Sequence, residues 1–232
     1  MAILRYTIGP VPPIGFQILR ESVKLMRRIY PELTITICHN QLNPKQVDFL
    51  KRLEVYLHEQ KHEILYCAPT VENWKLYPPR IDINQHELVI DNDVIFEKRI
   101  KQIDEFLTSN KPVVMSAVHR AYGQFEEFVN KETYVNCGIY GMPPGFDFEA
   151  KIKEFCWIKG TTSWSPRFDD QGLVAAALTS SDHIMIPMDE ILPLGEGSDF
   201  REGNGYHFIS SNRDGYHTAW DGYKKNKLPI FL

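Results

Sequence analysis
The chain lacks the cysteine pattern of a metal ribbon or a disulfide framework. Its four cysteines, Cys38, Cys67, Cys137 and Cys156, lie far apart with no C-x-x-C pair. Cys38 and Cys67 sit in or at the ends of apolar runs, as small buried hydrophobes do in a reducing compartment. It also lacks an excess of positive charge: 26 basic against 30 acidic residues leave a net charge of -4. That balance gives no electrostatic footprint for nucleic acid. No apolar run approaches the length of a membrane span and no signal peptide is visible, so the expected location is the cytoplasm. Neither a P-loop nor a G-x-G-x-x-G fingerprint follows the first apolar run, which removes the main support for a P-loop ATPase or a Rossmann dehydrogenase. No internal repeat and no low-complexity linker divides the 232 residues, a length suited to one core.

What is present is an alternation of elements. Ile3–Ile8 predicts a strand closed by Gly9-Pro10, and Phe16, Leu19, Val23, Met26 and Ile29 recur at helical spacing over Ile14–Tyr30 until Pro31. Leu33–Cys38 predicts a second strand, Lys45–Glu59 a helix after Asn43-Pro44, and Ile64–Ala68 a third strand. Farther on come a strand through Leu88–Ile90, a helix over Lys98–Ser109, and strands at Pro112–Val118 and Tyr134–Tyr140. Helices over Phe148–Trp157 and Gln171–Leu178 and a strand at His183–Pro187 follow, and beyond Leu194 the chain turns Gly-rich and polar. The order predicts an α/β fold: a mostly parallel central sheet, helices on both faces, and a loop-rich C-terminal third.

The most informative stretch is HELVIDNDVIFE, residues 86–97. A core strand ends in Asp91-Asn92-Asp93, and apolar residues resume at once. Carboxylates are rarely buried without a pairing cation. In extended backbone residues i and i+2 share a side, so Asp91 and Asp93 can converge on one ion. Oxygen ligands suit Mg²⁺ or Mn²⁺ better than zinc. A turn whose Asp-Asn-Asp caps the next segment has the same composition. In open α/β sheets ligands bind beyond the carboxyl ends of the strands. That rule places Thr7-Ile8-Gly9-Pro10, the acidic triplet and Asn136-Cys137-Gly138 on one rim.

Taken together, Arg80 upstream of HELVIDND, YVNCGIYGMP, FDDQGLVAAAL and GYHFISSNR with its aromatic-rich tail resemble the GT-A type of nucleotide-diphospho-sugar transferase. The pattern is similar to the glycogenin and lipopolysaccharide galactosyltransferase group and runs from about Ile3 to Trp220. The resemblance implies a single GT-A-type, Rossmann-like domain with a nucleotide-binding half over 1–110 and a donor-sugar and acceptor half over 111–232. It implies that Thr7, Ile8 and Gly9 line the base and ribose pocket. Arg80, Asp91, Asn92, Asn136, Gly138 and Arg213 would contact the donor, with Arg213 where the family usually has a Lys against the pyrophosphate. Asp91, Asp93 and His207 would hold Mn²⁺ or Mg²⁺, with His217 as the competing histidine. Asp170 and Gln171 would be catalytic, beside the sugar hydroxyls and the anomeric carbon. The implied partners are a nucleotide-sugar donor, favouring a UDP-sugar, and a carbohydrate or other hydroxyl acceptor, with retention of configuration. Two other readings remain open: a nucleotidyltransferase, for which the loop Thr7–Pro13 lacks a basic residue, and a non-catalytic sugar-binding protein on a transferase scaffold. Asp169-Asp170-Gln171 is also the composition of a helix start.

Overall fold
The computed structural model describes residues 2–60, 75–161, 168–195, 200–209 and 213–227. The amino-terminal half builds as its periodicities dictate. Strand β1 (Ala2–Ile8) leads into helix α1 (Pro13–Ile29), whose first turn begins at a proline and buries Phe16, Leu19, Val23 and Met26. Strand β2 (Leu33–His39) follows. Helix α2 (Pro44–Lys51) opens on a capping box: the Asn43 side chain accepts from the Gln46 backbone N–H at 3.0 Å, and Gln46 Oε1 accepts from the Asn43 N–H at 2.9 Å.

Here the structure corrects the expected helix over Lys45–Glu59. It stops at Lys51, Glu54 takes a left-handed conformation (φ 55°), and Tyr56–Glu59 forms strand β3, parallel to β2. Val47, Leu50 and Leu53 carry helical spacing, but Val55 and Leu57 carry the two-residue period of a strand. The turn is held by Arg27, whose Nη2 donates to the carbonyls of Leu53 and Glu54, both at 2.5 Å. The strand expected at Ile64–Ala68 lies outside the described residues.

Strands β4 (His86–Asp91), β6 (Val113–Ser116), β7 (Val135–Met142) and β8 (Ile184–Ile186) complete a seven-stranded sheet in the order β3-β2-β1-β4-β7-β6-β8. Strands β3, β2, β1 and β4 are parallel, while β7 runs antiparallel to both neighbours. Leu88 and Ile90 pack into a cluster with α1 and with helix α3 (Lys101–Phe106). Val89 and Tyr140 point the other way, into a cluster with helices α4 (Phe148–Lys159) and α5 (Asp169–Thr179). Both faces of the sheet are therefore covered, as the near-continuous apolar strands require.

The carboxyl-terminal third is more regular than a loop. Strand β5 (Val94–Phe96) pairs antiparallel with β10 (Gly205–Phe208), which pairs parallel with β9 (Ile191–Leu194). Helix α6 (Arg213–Lys227) buries Ala219, Trp220 and Tyr223 against Ile14 and Ile18 of α1 and Tyr206 and Phe208 of β10. The Tyr223 hydroxyl donates to Glu97 at 2.5 Å. The glycine content disguised this regularity, because the elements between the polar stretches are only a few residues long. Among the described residues no helix is long and apolar enough to cross a membrane.

Candidate active site
The parallel register puts Thr7, the penultimate residue of β1, directly beside Asp91, the last residue of β4. The chain then turns through Asn92-Asp93 and starts β5, so Asp91 ends the large sheet and Asp93 opens the small one. Two bonds hold this turn. Ser22 of α1, itself bonded to the Tyr6 hydroxyl at 2.7 Å, donates to the Val94 carbonyl at 2.6 Å. The Phe208 N–H donates to the Asp93 carbonyl at 2.9 Å. The second bond brings β10, and His207 with it, to the acidic triplet.

Asp91, Asp93 and His207 each offer a ligand atom, and these atoms lie within 4.8 Å of one another. His207 Nε2 stands 3.5 Å from Asp93 Oδ1, while its Nδ1 is buried with no hydrogen-bond partner among the described residues. Burial opposes a charge on His207, but Asp93 and then Asp91 outweigh it and raise its pKa. Burial also pushes the Asp91 carboxyl up, against the pull of Lys75. An oxygen-rich set with an orphaned imidazole nitrogen and a carboxylate that is costly to charge fits a hard divalent cation. His217, on α6, is exposed and outside this cluster.

Three segments close the site from the large sheet. Asn136, Cys137 and Gly138 occupy an irregularity in β7: Val114 faces Tyr140, yet the next residue, Met115, faces Asn136. Such bulges re-aim side chains at the ends of strands. Asn136 Oδ1 accepts from the Gly138 N–H at 2.7 Å. Gly138 is required by contact, because a Cβ there would stand 2.6 Å from His207 Cε1. At the start of α5, Asp170 is buried and its Oδ2 lies 3.7 Å from Cys137 Sγ, while the Cys137 N–H donates to Gln171 Oε1 at 3.4 Å. Gln171 Nε2 donates to the Ala121 carbonyl at 2.9 Å. Neither aspartate caps α5. The cap is Phe168 in a left-handed conformation, and Asp169 accepts instead from Gln124.

Sequence reasoning missed Lys75. Its Nζ lies 3.5 Å from both Asp91 oxygens, 3.2 Å from Asp170 Oδ2 and 3.0 Å from Cys137 Sγ. It thus ties the end of β4 to the start of α5. These partners outweigh the cost of its burial and raise its pKa. A lone lysine ahead of Tyr77-Pro78-Pro79 carries no motif that would single it out.

Arg80 is the opposite case. Expected at the donor, it donates instead to Glu87 and to the carbonyls of Pro143, Phe146, Asp82 and Gln85. Glu87 lies four residues before Asp91, about 13 Å along the strand, so the structure does not bring Arg80 to the rim. Thr7, Ile8, Gly9 and Asn92 stand at the rim. Thr7 Oγ1 is buried with no hydrogen-bond partner among the described residues, Ile8 ends β1 and Gly9 follows it, and Asn92 turns toward Gly15 in the first turn of α1. Arg213 begins α6, and its side chain lies outside the described residues.

No family model matches the chain, and no curated protein matches it by sequence. Solved structures do match. The galactosyltransferase LgtC, in complex with donor and acceptor sugar analogues, superposes with a TM-score of 0.61 at 11% identity, covering 97% of this chain and 94% of LgtC. The bifunctional glycosyltransferase WbbM gives 0.68 at 12% identity over 91% of this chain and 46% of its own. The glycosyltransferase GlyE of Streptococcus pneumoniae TIGR4 gives 0.55 at 11% identity, and the chain spans 59% of its length. With its mixed seven-stranded sheet, its small second sheet and this near-complete overlap with LgtC, the chain has the GT-A glycosyltransferase fold.

Proposed function
We propose that this protein is a metal-dependent glycosyltransferase that moves a sugar from a nucleotide diphosphate, with a UDP-sugar favoured, to a hydroxyl acceptor. The observation that carries the proposal is the convergence of Asp91, Asp93 and His207 at the carboxyl rim of the sheet. A bound Mn²⁺ or Mg²⁺ would be held by these three residues and would supply Lewis-acid stabilisation of the leaving diphosphate. His207 is favoured over the exposed His217.

The remaining roles belong to the chain's own groups. Thr7, Ile8, Gly9 and Asn92 line the nucleotide side, with the unsatisfied Thr7 hydroxyl available to a ribose or base. Asn136, Gly138 and Asp170 face the donor sugar, and Gln171 stands by the anomeric carbon. Lys75 holds Asp91 and Asp170 at fixed separation, its ammonium set between the two carboxylates. Arg213, at the start of α6, adds positive charge to the diphosphate clamp. In this reading residues 1–110 serve the nucleotide and 111–232 the donor sugar and acceptor, and configuration is retained. The buried thiols of Cys38 and Cys137 support action in the reducing cytoplasm.

Titration with UDP-sugars by thermal shift, with and without Mn²⁺, tests the proposal, because a ligand stabilises the fold according to its affinity. Binding indifferent to metal and to Asp93→Ala would remove it. Slow hydrolysis of the donor without acceptor separates a transferase from a non-catalytic sugar-binding protein.

A further inference from the structure
Two charged residues sit where strands of this kind hold aliphatic ones. Arg5, in the middle of β1, and Glu87, near the start of β4, are both fully buried. Their side chains meet, Arg5 Nη1 to Glu87 Oε1 at 2.9 Å, on the sheet face that carries Val89 and Tyr140. Neither belongs to the cluster of Asp91, Asp93 and His207 or touches it.

What covers them is a 3-10 turn at Lys75-Leu76 that runs into irregular chain. The segment 75–81 crosses this face without a ladder partner, and its buried backbone groups still need hydrogen bonds. Arg5 and Glu87 supply three of them, and Gln60 a fourth at the Tyr77 carbonyl. Arg5 Nη1 donates to the Pro78 carbonyl at 2.6 Å, and its Nη2 to the Lys75 carbonyl at 2.9 Å. Tyr140 bridges the same corner, its hydroxyl 3.4 Å from both Arg5 Nη2 and the Lys75 carbonyl. Arg80 feeds four further carbonyls, and Glu87 Oε2 accepts both from Arg80 Nε at 3.3 Å and from the Ile81 N–H at 2.7 Å. One carboxylate thus balances two guanidinium groups, and the three together nail an irregular segment to the sheet.

A buried ion pair of this kind is poor value as a stabiliser, since apolar side chains of like volume often serve as well or better. Its distinctive product is geometric. The Lys75 carbonyl fixed by Arg5 belongs to the residue whose ammonium reaches Asp91, Asp170 and Cys137. We propose that Arg5 and Glu87 form a buried positioning strut that sets Lys75 between Asp91 and Asp170. In that role they tune the donor site from farther along the same face of the sheet. Only the link to donor binding rests on the transferase reading; the placement of Lys75 does not. Arg5 touches no ligand and is a positioning residue.

The test uses Arg5→Lys, which keeps a positive charge for Glu87 but cannot fork to two carbonyls. Trace acetylation with acetic anhydride, read by mass spectrometry, reports the labelling of Lys75 relative to Lys24, which is 69% exposed. Loss of one charge-assisted bond corresponds to a rise in that ratio of about tenfold. Affinity for UDP in the presence of Mn²⁺ falls by about the same factor, while binding of Mn²⁺ alone is no weaker. A wild-type labelling ratio in the folded variant would overturn the strut. So would loss of Mn²⁺ binding together with everything else, since that marks general collapse. If Arg5→Lys does not fold, Glu87→Gln is read in the same way. If the wild-type protein ignores UDP with Mn²⁺, the transferase reading fails, and the labelling ratio still decides the strut.

Discussion

Replacing Gly138 with alanine tests the geometry of the proposed metal centre without touching a ligand. The new Cβ would stand 2.6 Å from His207 Cε1, 3.1 Å from His207 Nδ1 and 2.8 Å from Asn136 Oδ1. One neighbour must give way. Asn136 is anchored by the Gly138 N–H at 2.7 Å. Among the described residues the imidazole's polar contact is the 3.5 Å one to Asp93, and its Nδ1 has no hydrogen-bond partner. The ring therefore moves. If it moved nowhere, overpacking would cost about 1–3 kcal/mol of stability. If it swings out, much of that strain is relieved and the cost passes to the metal, where disturbing the orientation of a ligand typically lowers affinity by about 10–100-fold. The expected outcome is a thermal midpoint near that of the wild type in EDTA and a Mn²⁺ dissociation constant raised at least about tenfold, approaching that of His207→Ala. Electron paramagnetic resonance titration of Mn²⁺ measures the second quantity. Gly138→Ala with both wild-type Mn²⁺ affinity and wild-type stability would show that His207 is not the residue confined by Gly138, and the three-ligand centre would lose its histidine.

Three further outcomes follow from local contacts. Lys75→Met leaves Asp91 and Asp170 without their shared cation, and urea unfolding in EDTA should show a loss of about 3–5 kcal/mol, part of it recovered with Mn²⁺; an unchanged midpoint in EDTA would mean that Lys75 does not neutralise the pair. Burial pushes the Cys38 thiol up to about 11 and the Cys137 thiol higher still. The thiolate is the reactive form, and it becomes appreciable only as pH rises toward the thiol pKa. Iodoacetamide at neutral or mildly alkaline pH should therefore leave both cysteines unmodified in the native protein and alkylate both in urea; a native adduct on Cys137 contradicts its place behind Lys75. Asn43→Ala removes the side-chain half of the capping box on α2, the bond accepted from the Gln46 N–H, and should cost about 1 kcal/mol in chemical unfolding, with nucleotide binding unchanged.

The parts of the fold that were legible in the sequence are those where one period dominates a long stretch. Phe16, Leu19, Val23 and Met26 define α1 without ambiguity, and Leu33–Cys38 with its β-branched residues defines β2. Where two periods adjoin, as from Leu53 to Leu57, the turn at Glu54 depends on a left-handed residue and on Arg27 from another helix, neither of which leaves a local trace. The site divides in the same way. Asp91, Asp93, Asn136, Asp170 and His207 are visible because each is a polar residue set into or beside an apolar run. Lys75 and Arg5 are not, because their importance is relational: one lies between three groups distant in sequence, and the other lies beneath an irregular segment. Arg80 shows the converse hazard. It is a motif-like residue whose donors are consumed by backbone carbonyls.

The acidic triplet has a meaning in the fold that its composition does not convey. It is the hinge point between two sheets. Asp91 closes the seven-stranded sheet, Asp93 stands at the mouth of the three-stranded one, and His207 arrives on the central strand of that second sheet. A cation taken by all three would cross-link the sheets, much as the Phe208–Asp93 backbone bond already does. Nearby, β5 and β10 are held to α1 and α6 by apolar packing and by the Ser22–Val94 and Tyr223–Glu97 hydrogen bonds. Metal binding would therefore be coupled to the seating of β10, and through it to the approach of α6 and Arg213, which the proposed function assigns to the diphosphate. A bare D-x-D turn cannot do this. What sets this one apart is that the turn falls between two sheets and a third strand carries a histidine back to it.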